Sequence, residues 1–192
     1  MREDYAIVLD YLPNGYASSF KKEPVVQALG EKYFSLLELV ARPGISINLG
    51  DKIYIGAEKR EQVQFIKGKL EYRTLTATAR NELKDILDVI VAEREAEFVN
   101  FFNKAGSVTV RQHTLELIPN IGKKHMWDII NEREKKPFES YKDIADRVKL
   151  MPDPKRVIVE RIIEELQGYE KHYLFIKSLP KNAVTKRGGR YR

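Results

Sequence analysis

Along residues 4–12, DYAIVLDYL, apolar positions alternate. Tyr5, Ile7, Leu9 and Tyr11 would share one face of an extended strand, which Pro13-Asn14-Gly15 then stops. Four further stretches have the same short, β-branched character: VVQAL at 25–29, KYFSLLELVAR at 32–42, GISINLGDKIYIG at 44–56 and EQVQFIKGKLEY at 61–72. Within 44–56, Ile45, Ile47 and Leu49 alternate with Ser46 and Asn48 before Gly50-Asp51 turns the chain into KIYIG. Gly68 marks a bulge or bend. The period then changes. Residues 76–106 place Leu83, Leu87, Ile90, Phe98 and Phe101 at helical spacing, with Arg94 in the stripe and Gly106 at its end. Residues 109–118, TVRQHTLELI, predict a short helix with Leu115 and Ile118 on one side. Pro119-Asn120-Ile121-Gly122 predicts a tight turn, since glycine takes positive φ freely and asparagine tolerates it best among the rest. From Lys123 a second helix is expected to bury Met126, Ile129 and Ile130. Ile158, Ile162 and Leu166 form the stripe of a last helix. YEKHYLFIKS, 169–178, reads as a strand, and a lone strand must pair with the N-terminal sheet.

The pattern is that of an α+β protein. Five or six short strands within the first 73 residues, with almost no helical period among them, predict a small closed barrel over 1–73. Connecting helices follow at 74–106, a helical domain at 107–168, the returning strand at 169–178 and a tail at 179–192. Tyr5, Tyr11, Phe34 and Phe65 are expected in the barrel core, and Trp127 in the helical core. The element LGDKIYIG is similar to the strand entry of OB-fold and S1-like barrels, with an SH3-like barrel as the alternative. Barrels of the OB type bind single strands through a basic groove with stacking aromatics. Here Phe20, Lys21 and Lys22, with Tyr16, occupy the loop after the first strand.

Charge sharpens this picture. The formal net charge is +6, and residues 177–192 supply all of it through Lys177, Lys181, Lys186, Arg187, Arg190 and Arg192. Residues 1–176 balance at 28 basic against 28 acidic side chains. A short glycine- and arginine-rich tail of this kind either frays in solvent or reaches for a polyanion. The absence of cysteine excludes disulfides, thiol catalysis and cysteine-ligated metals. His113, His125 and His172 stand far apart, and no GxSxG, P-loop or GxGxxG occurs. No metal, cofactor or catalytic role is therefore expected. No apolar run is long enough to span a bilayer, and MREDYAIVLDYL has no signal-peptide pattern, so a cytoplasmic protein without membrane association is expected.

The turn at 118–122 feeds directly into a helix N-terminus, where backbone N–H groups lack intrahelical partners and the dipole is positive. Lys123, Lys124 and His125 in that first turn disfavour an isolated helix but suit a bound anion. LIPNIGKKHMWDII resembles the helix–hairpin–helix motif. IINEREKKPFESYKDIADRV, 129–148, is similar to the stretch that follows the hairpin in tandem helix–hairpin–helix domains, and MPDPKRVIVERIIEEL, 151–166, stands where the second hairpin and its last helix would be. The resemblance implies that the hairpin amides of Asn120, Ile121 and Gly122 contact phosphates without reading sequence, with Lys123, Lys124 and His125 beside them. Asn120 replaces the family's first glycine. The second hairpin lacks both glycines and carries Asp153, which would repel phosphate, so it reads as structural, with Lys155 and Arg156 assisting. Over nearly the whole chain the sequence resembles an archaeal family of uncharacterised proteins described as predicted RNA-binding. The expected function is binding of nucleic acid, RNA more than DNA, by the hairpin, the barrel loop and the tail residues Lys186, Arg187, Arg190 and Arg192. The alternative is a protein-docking module of a ribonucleoprotein or DNA-processing assembly.

Overall fold

The computed structural model describes residues 2–20 and 22–177. The expectations for Lys21 and for Lys181, Lys186, Arg187, Arg190 and Arg192 fall outside them. The fold is mixed α+β, with five α-helices among the described residues. It divides into two compact units. One takes the chain up to Ile86 and again from Ile163, and the other is Leu87–Ile162. The chain passes between them inside two helices.

The first unit holds a curled, half-barrel antiparallel sheet of five strands: β1 Tyr5–Leu12, β2 Val25–Gly30, β3 Leu36–Ala41, β4 Lys52–Tyr54 and β5 Val63–Lys69. The strand order is β4-β1-β2-β3-β5, so β4 and β5 are edges and the expected closed barrel is not formed. β4 is only three residues long, which leaves no ladder with which to close on β5. The core is apolar and small-residue-rich, with Ala6, Val8, Val26, Ala28, Leu39 and Ile53 buried together. A bulge between Val8 and Asp10 shifts the alternation of β1. Ala6 and Val8 therefore face this core instead of the expected Tyr5 and Ile7, Tyr11 packs against it as expected, and Leu9 is buried but not part of it. Tyr5 is exposed, edge-on to the Tyr54 ring and beneath the Lys52 ammonium. Phe65 is exposed on the edge strand, whereas Phe34 is buried as expected.

Two buried polar groups organise this unit. Gln27, at the centre of the wholly buried β2, donates from Nε2 to the Thr74 carbonyl and accepts the Thr76 amide at Oε1, 3.2 and 3.0 Å away. Thr76 also donates its hydroxyl to Asp10 and accepts the Ala79 amide. These bonds fix the start of α1, Ala77–Glu93. The buried Glu3 carboxylate accepts the amides of Lys32, Tyr33 and Ser35 and the Ser35 hydroxyl. It thereby holds a turn in which Phe34 has φ of 56°.

The expected strand at 169–178 is absent over the described 169–177. The amides of Leu174, Phe175 and Ile176, which would have formed its ladder, donate instead to the buried carboxylate of Glu165. Glu165 lies near the end of α5, Pro154–Gln167.

In the second unit the long helix expected at 76–106 breaks at Arg94, with φ −97° and ψ 26°. The Arg94 guanidinium grips both carboxylate oxygens of Glu97, at 2.9 and 2.8 Å. α2, Glu95–Lys104, then buries Phe98, Val99 and Phe102, while Phe101 is only half-buried. No α-helix forms at 109–118. β6 Ser107–Thr109 and β7 Gln112–His113 make a small hairpin, and Thr114–Leu117 is a 3₁₀ turn. His113 caps that turn, its Nδ1 accepting the Leu115 amide, while Glu116 accepts the His113 amide. α3, Lys123–Lys135, and α4, Tyr141–Arg147, follow. Arg147 clamps them: its guanidinium donates to the carbonyls of Glu132 and Lys136 and lies 4.5 Å from the Phe138 ring centre. Tyr141 donates its hydroxyl to the Val91 carbonyl, and burial pushes that phenol well above its ordinary pKa.

Candidate nucleic-acid interface

Two turns of the second unit share one backbone design. In the first, the Ile118 carbonyl accepts the Ile121 amide at 3.2 Å, and Asn120 takes φ of 62°. In the second, the Val148 carbonyl accepts the Met151 amide at 3.2 Å, and Leu150 takes φ of 58°. Each leads into a helix, α3 or α5. The left-handed residue of the first turn is thus Asn120 alone; Gly122 is extended, with φ −84° and ψ 179°, and serves as N-cap. A Cβ there would meet nothing within 4 Å. The second turn keeps its shape without glycine because Leu150, whose side chain is exposed, accepts the left-handed conformation.

The helix starts differ where chemistry matters. Asp153 closes α5, its Oδ1 accepting the amides of Lys155 and Arg156 at 2.9 and 3.3 Å. The N-cap of α3 has no side-chain bond. Lys123 and Lys124 are exposed and form no ion pair among the described residues, while His125 is half-buried. Lys155 and Arg156, by contrast, are engaged, Lys155 with Asp88 at 3.4 Å and Arg156 with Glu160 at 2.9 Å. The other oxygen of Glu160 accepts from Asn120 Nδ2, so Asn120 is fastened to α5 by its side chain. Ile121 is buried and anchors the turn.

From Lys124 a groove of about 310 Å³ runs beside α3, lined by Asp128, Asn131, Glu132, Lys135, Arg147 and Lys149. A hydrogen bond from Lys135, reinforced by Arg147, holds Glu132 below the usual carboxylate range. Among the described residues, that leaves Lys124 and Lys149 as the cations of the lining with no ion pair. Nothing in the sequence distinguishes Lys149 except its place in the second turn. Trp127 is 57% exposed, against the expectation of a core position.

In the first unit, Phe20 is fully exposed and Lys22 is exposed. Tyr16 is committed to the fold, donating to Glu38 and accepting from Gln27. No group of three or more histidine, aspartate or glutamate side chains with a metal-binding arrangement occurs among the described residues. No helix among them is long and apolar enough to cross a membrane.

The family described as protein of unknown function, DUF655, matches residues 2–177. The chain belongs to the DUF655 family. Within it, the chain is 46% identical over 177 residues to an uncharacterised protein of Methanocaldococcus jannaschii, covering 91% of this chain and 80% of that one. A crystal structure of a DUF655 protein from Archaeoglobus fulgidus superposes with a TM-score of 0.84 at 44% identity, covering 91% of this chain and 99% of that one.

Proposed function

We propose that the protein binds nucleic acid without catalysis, RNA in preference to DNA, and that the turn at Asn120–Lys124 is its phosphate grip. One observation carries the reading. Of two like turns, one opens onto a helix with no side-chain cap, flanked by Lys123 and Lys124, which form no ion pair among the described residues; the other is closed by Asp153. A helix N-terminus left open with cations beside it suits a phosphate. The tandem turns support a helix–hairpin–helix architecture. The strand order supports an OB-like one, in which β1 lies between β2 and β4 and β5 pairs with β3. OB folds bind oligonucleotides on their β2–β3 face and flanking loops, and Phe20 and Lys22 lie in the β1–β2 loop. Preference for RNA rests on the likeness of barrel and tail to RNA-binding parts.

The test is binding to single-stranded RNA, duplex RNA and duplex DNA at two salt concentrations. Reversing Lys123 and Lys124 to Glu is expected to weaken binding and to lower the salt slope by about 0.7–0.9 for each phosphate no longer neutralised. Unchanged affinity and slope would remove the turn from the interface. The charge balance of residues 1–176 favours a second reading, docking to protein in a ribonucleoprotein or DNA-processing assembly. That reading predicts no salt-dependent affinity for any nucleic acid once residues 179–192 are removed.

A further inference from the structure

Trp127 is the only tryptophan of the chain, and it stands largely in solvent on α3. With about 3.6 residues per turn, it falls between Lys123, four residues before it, and Lys124, three before it, on one helix face. Met126 and Ile129 are buried on another face. Asn131, one turn further on, belongs to the groove that begins at Lys124. Among the described residues the indole has neither a hydrogen-bond partner nor a stacked ring. Its neighbours three and four residues away on α3 are Lys123, Lys124, the half-buried Ile130 and Asn131, with Glu134 two turns along. A protein-docking tryptophan needs apolar neighbours to complete a hot spot, and at these spacings on α3 only the half-buried Ile130 is apolar.

We propose that Trp127 is a stacking platform for an unpaired base, so that the turn and the α3 face take single-stranded nucleic acid in preference to duplex. This rests on the nucleic-acid reading above and adds its strand class. Phosphates would meet Lys123, Lys124 and the open amides, while the base attached to them lies on the indole. In a duplex the bases are paired and stacked on one another, so the ring has nothing to receive. Every base has a π-face, so the platform selects single strands without selecting sequence.

The single tryptophan makes the test direct. The full chain is titrated with a short RNA of mixed sequence, single-stranded or annealed to its complement, while tryptophan emission is followed. The single strand is expected to quench emission and the duplex to leave it nearly unchanged. Trp127→Ala should weaken single-strand binding by about 5- to 150-fold, the range for loss of one stacked base. Its salt slope should stay that of the parent, since the cations that meet phosphate are all retained. Trp127→Phe should keep most of the affinity, and thermal unfolding of both variants checks that they fold. If reversal of Lys123 and Lys124 weakens binding while the single strand leaves emission unchanged, the stacking proposal falls and the phosphate grip stands. Equal weakening of single-strand and duplex binding in Trp127→Ala also overturns the proposal. If the parent chain binds neither form, both readings fall.

Discussion

A carboxylate at one helix start and a bare glycine at the other separate two turns of the same shape. Gly122 is extended and faces open space, so an acidic side chain fits there without strain. Gly122→Asp is expected to cap α3 and raise stability by about 0.3–1 kcal/mol in urea titration, through the cap and the dipole together. The same change should weaken nucleic-acid binding, because the amides then have a resident acceptor. Asp153→Ala should do the reverse to α5, lowering stability by about 1 kcal/mol. His113 offers a test in pH. Burial, and then the positive charge of Arg133, keep its pKa below the ordinary histidine value, against the opposing pull of Glu116 and the Ala105 carbonyl. Its neutral Nδ1 is what accepts the Leu115 amide. The unfolded chain therefore binds a proton before the folded one does. The stability held by this cap is full above the ordinary histidine pKa and declines as pH falls below it towards the lowered folded value. In thermal unfolding from about pH 7.5 to about pH 5, a window that spans the ordinary histidine pKa, His113→Asn, which can still cap, should show a shallower decline than the parent. Glu3 serves four donors from a buried position, so Glu3→Ala should destabilise by at least about 2 kcal/mol in the same denaturant assay.

At the scale of the element, Glu165→Ala should release the amides of Leu174, Phe175 and Ile176. Hydrogen exchange there should quicken while exchange in β2 stays slow. That clasp also shows where sequence patterning reaches its limit. YEKHYLFIKS has the composition of a strand, but a carboxylate nine or more residues away supplies its amides with acceptors, and no local pattern reports such a partner. The same holds for β1, where alternation predicted the face of Tyr5 and Ile7 and a single bulged residue exchanged it for that of Ala6 and Val8. In 76–106 the stripe is continuous enough to hide the break at Arg94. TVRQHTLELI places apolar residues at spacings that suit a helix or a hairpin followed by a 3₁₀ turn, and β-branched Val108, Thr109 and Val110 favour the hairpin. The strand-rich first ~70 residues, the turn at 118–122, the start of α3 and the buried stripe of Ile158, Ile162 and Leu166 were legible, because each depends on neighbours close along the chain. Trp127 could have been placed outside by the same rule: it lies about 100° from Met126 on the wheel, off the stripe that Met126 and Ile129 define.

For the molecule as a whole, the balanced charge of residues 1–176 implies that long-range attraction comes mainly from the basic tail. Removing residues 179–192 takes away five positive charges and should lower affinity for every polyanion at low salt. Quenching of Trp127 by a single strand should survive the truncation at higher concentration. The two-part composition of the sheet-bearing unit has a further consequence. Leu87–Ile162 is one uninterrupted stretch, whereas its neighbour needs residues from both sides of it. During synthesis from the N-terminus, the ribosome delivers every residue of the inserted helical unit before Glu165 has been translated. The unit begun first is therefore the one fastened last, and a nascent chain halted after Ile162 would carry α3 and the turns at 118–121 and 148–151 while still lacking the clasp on residues 174–176.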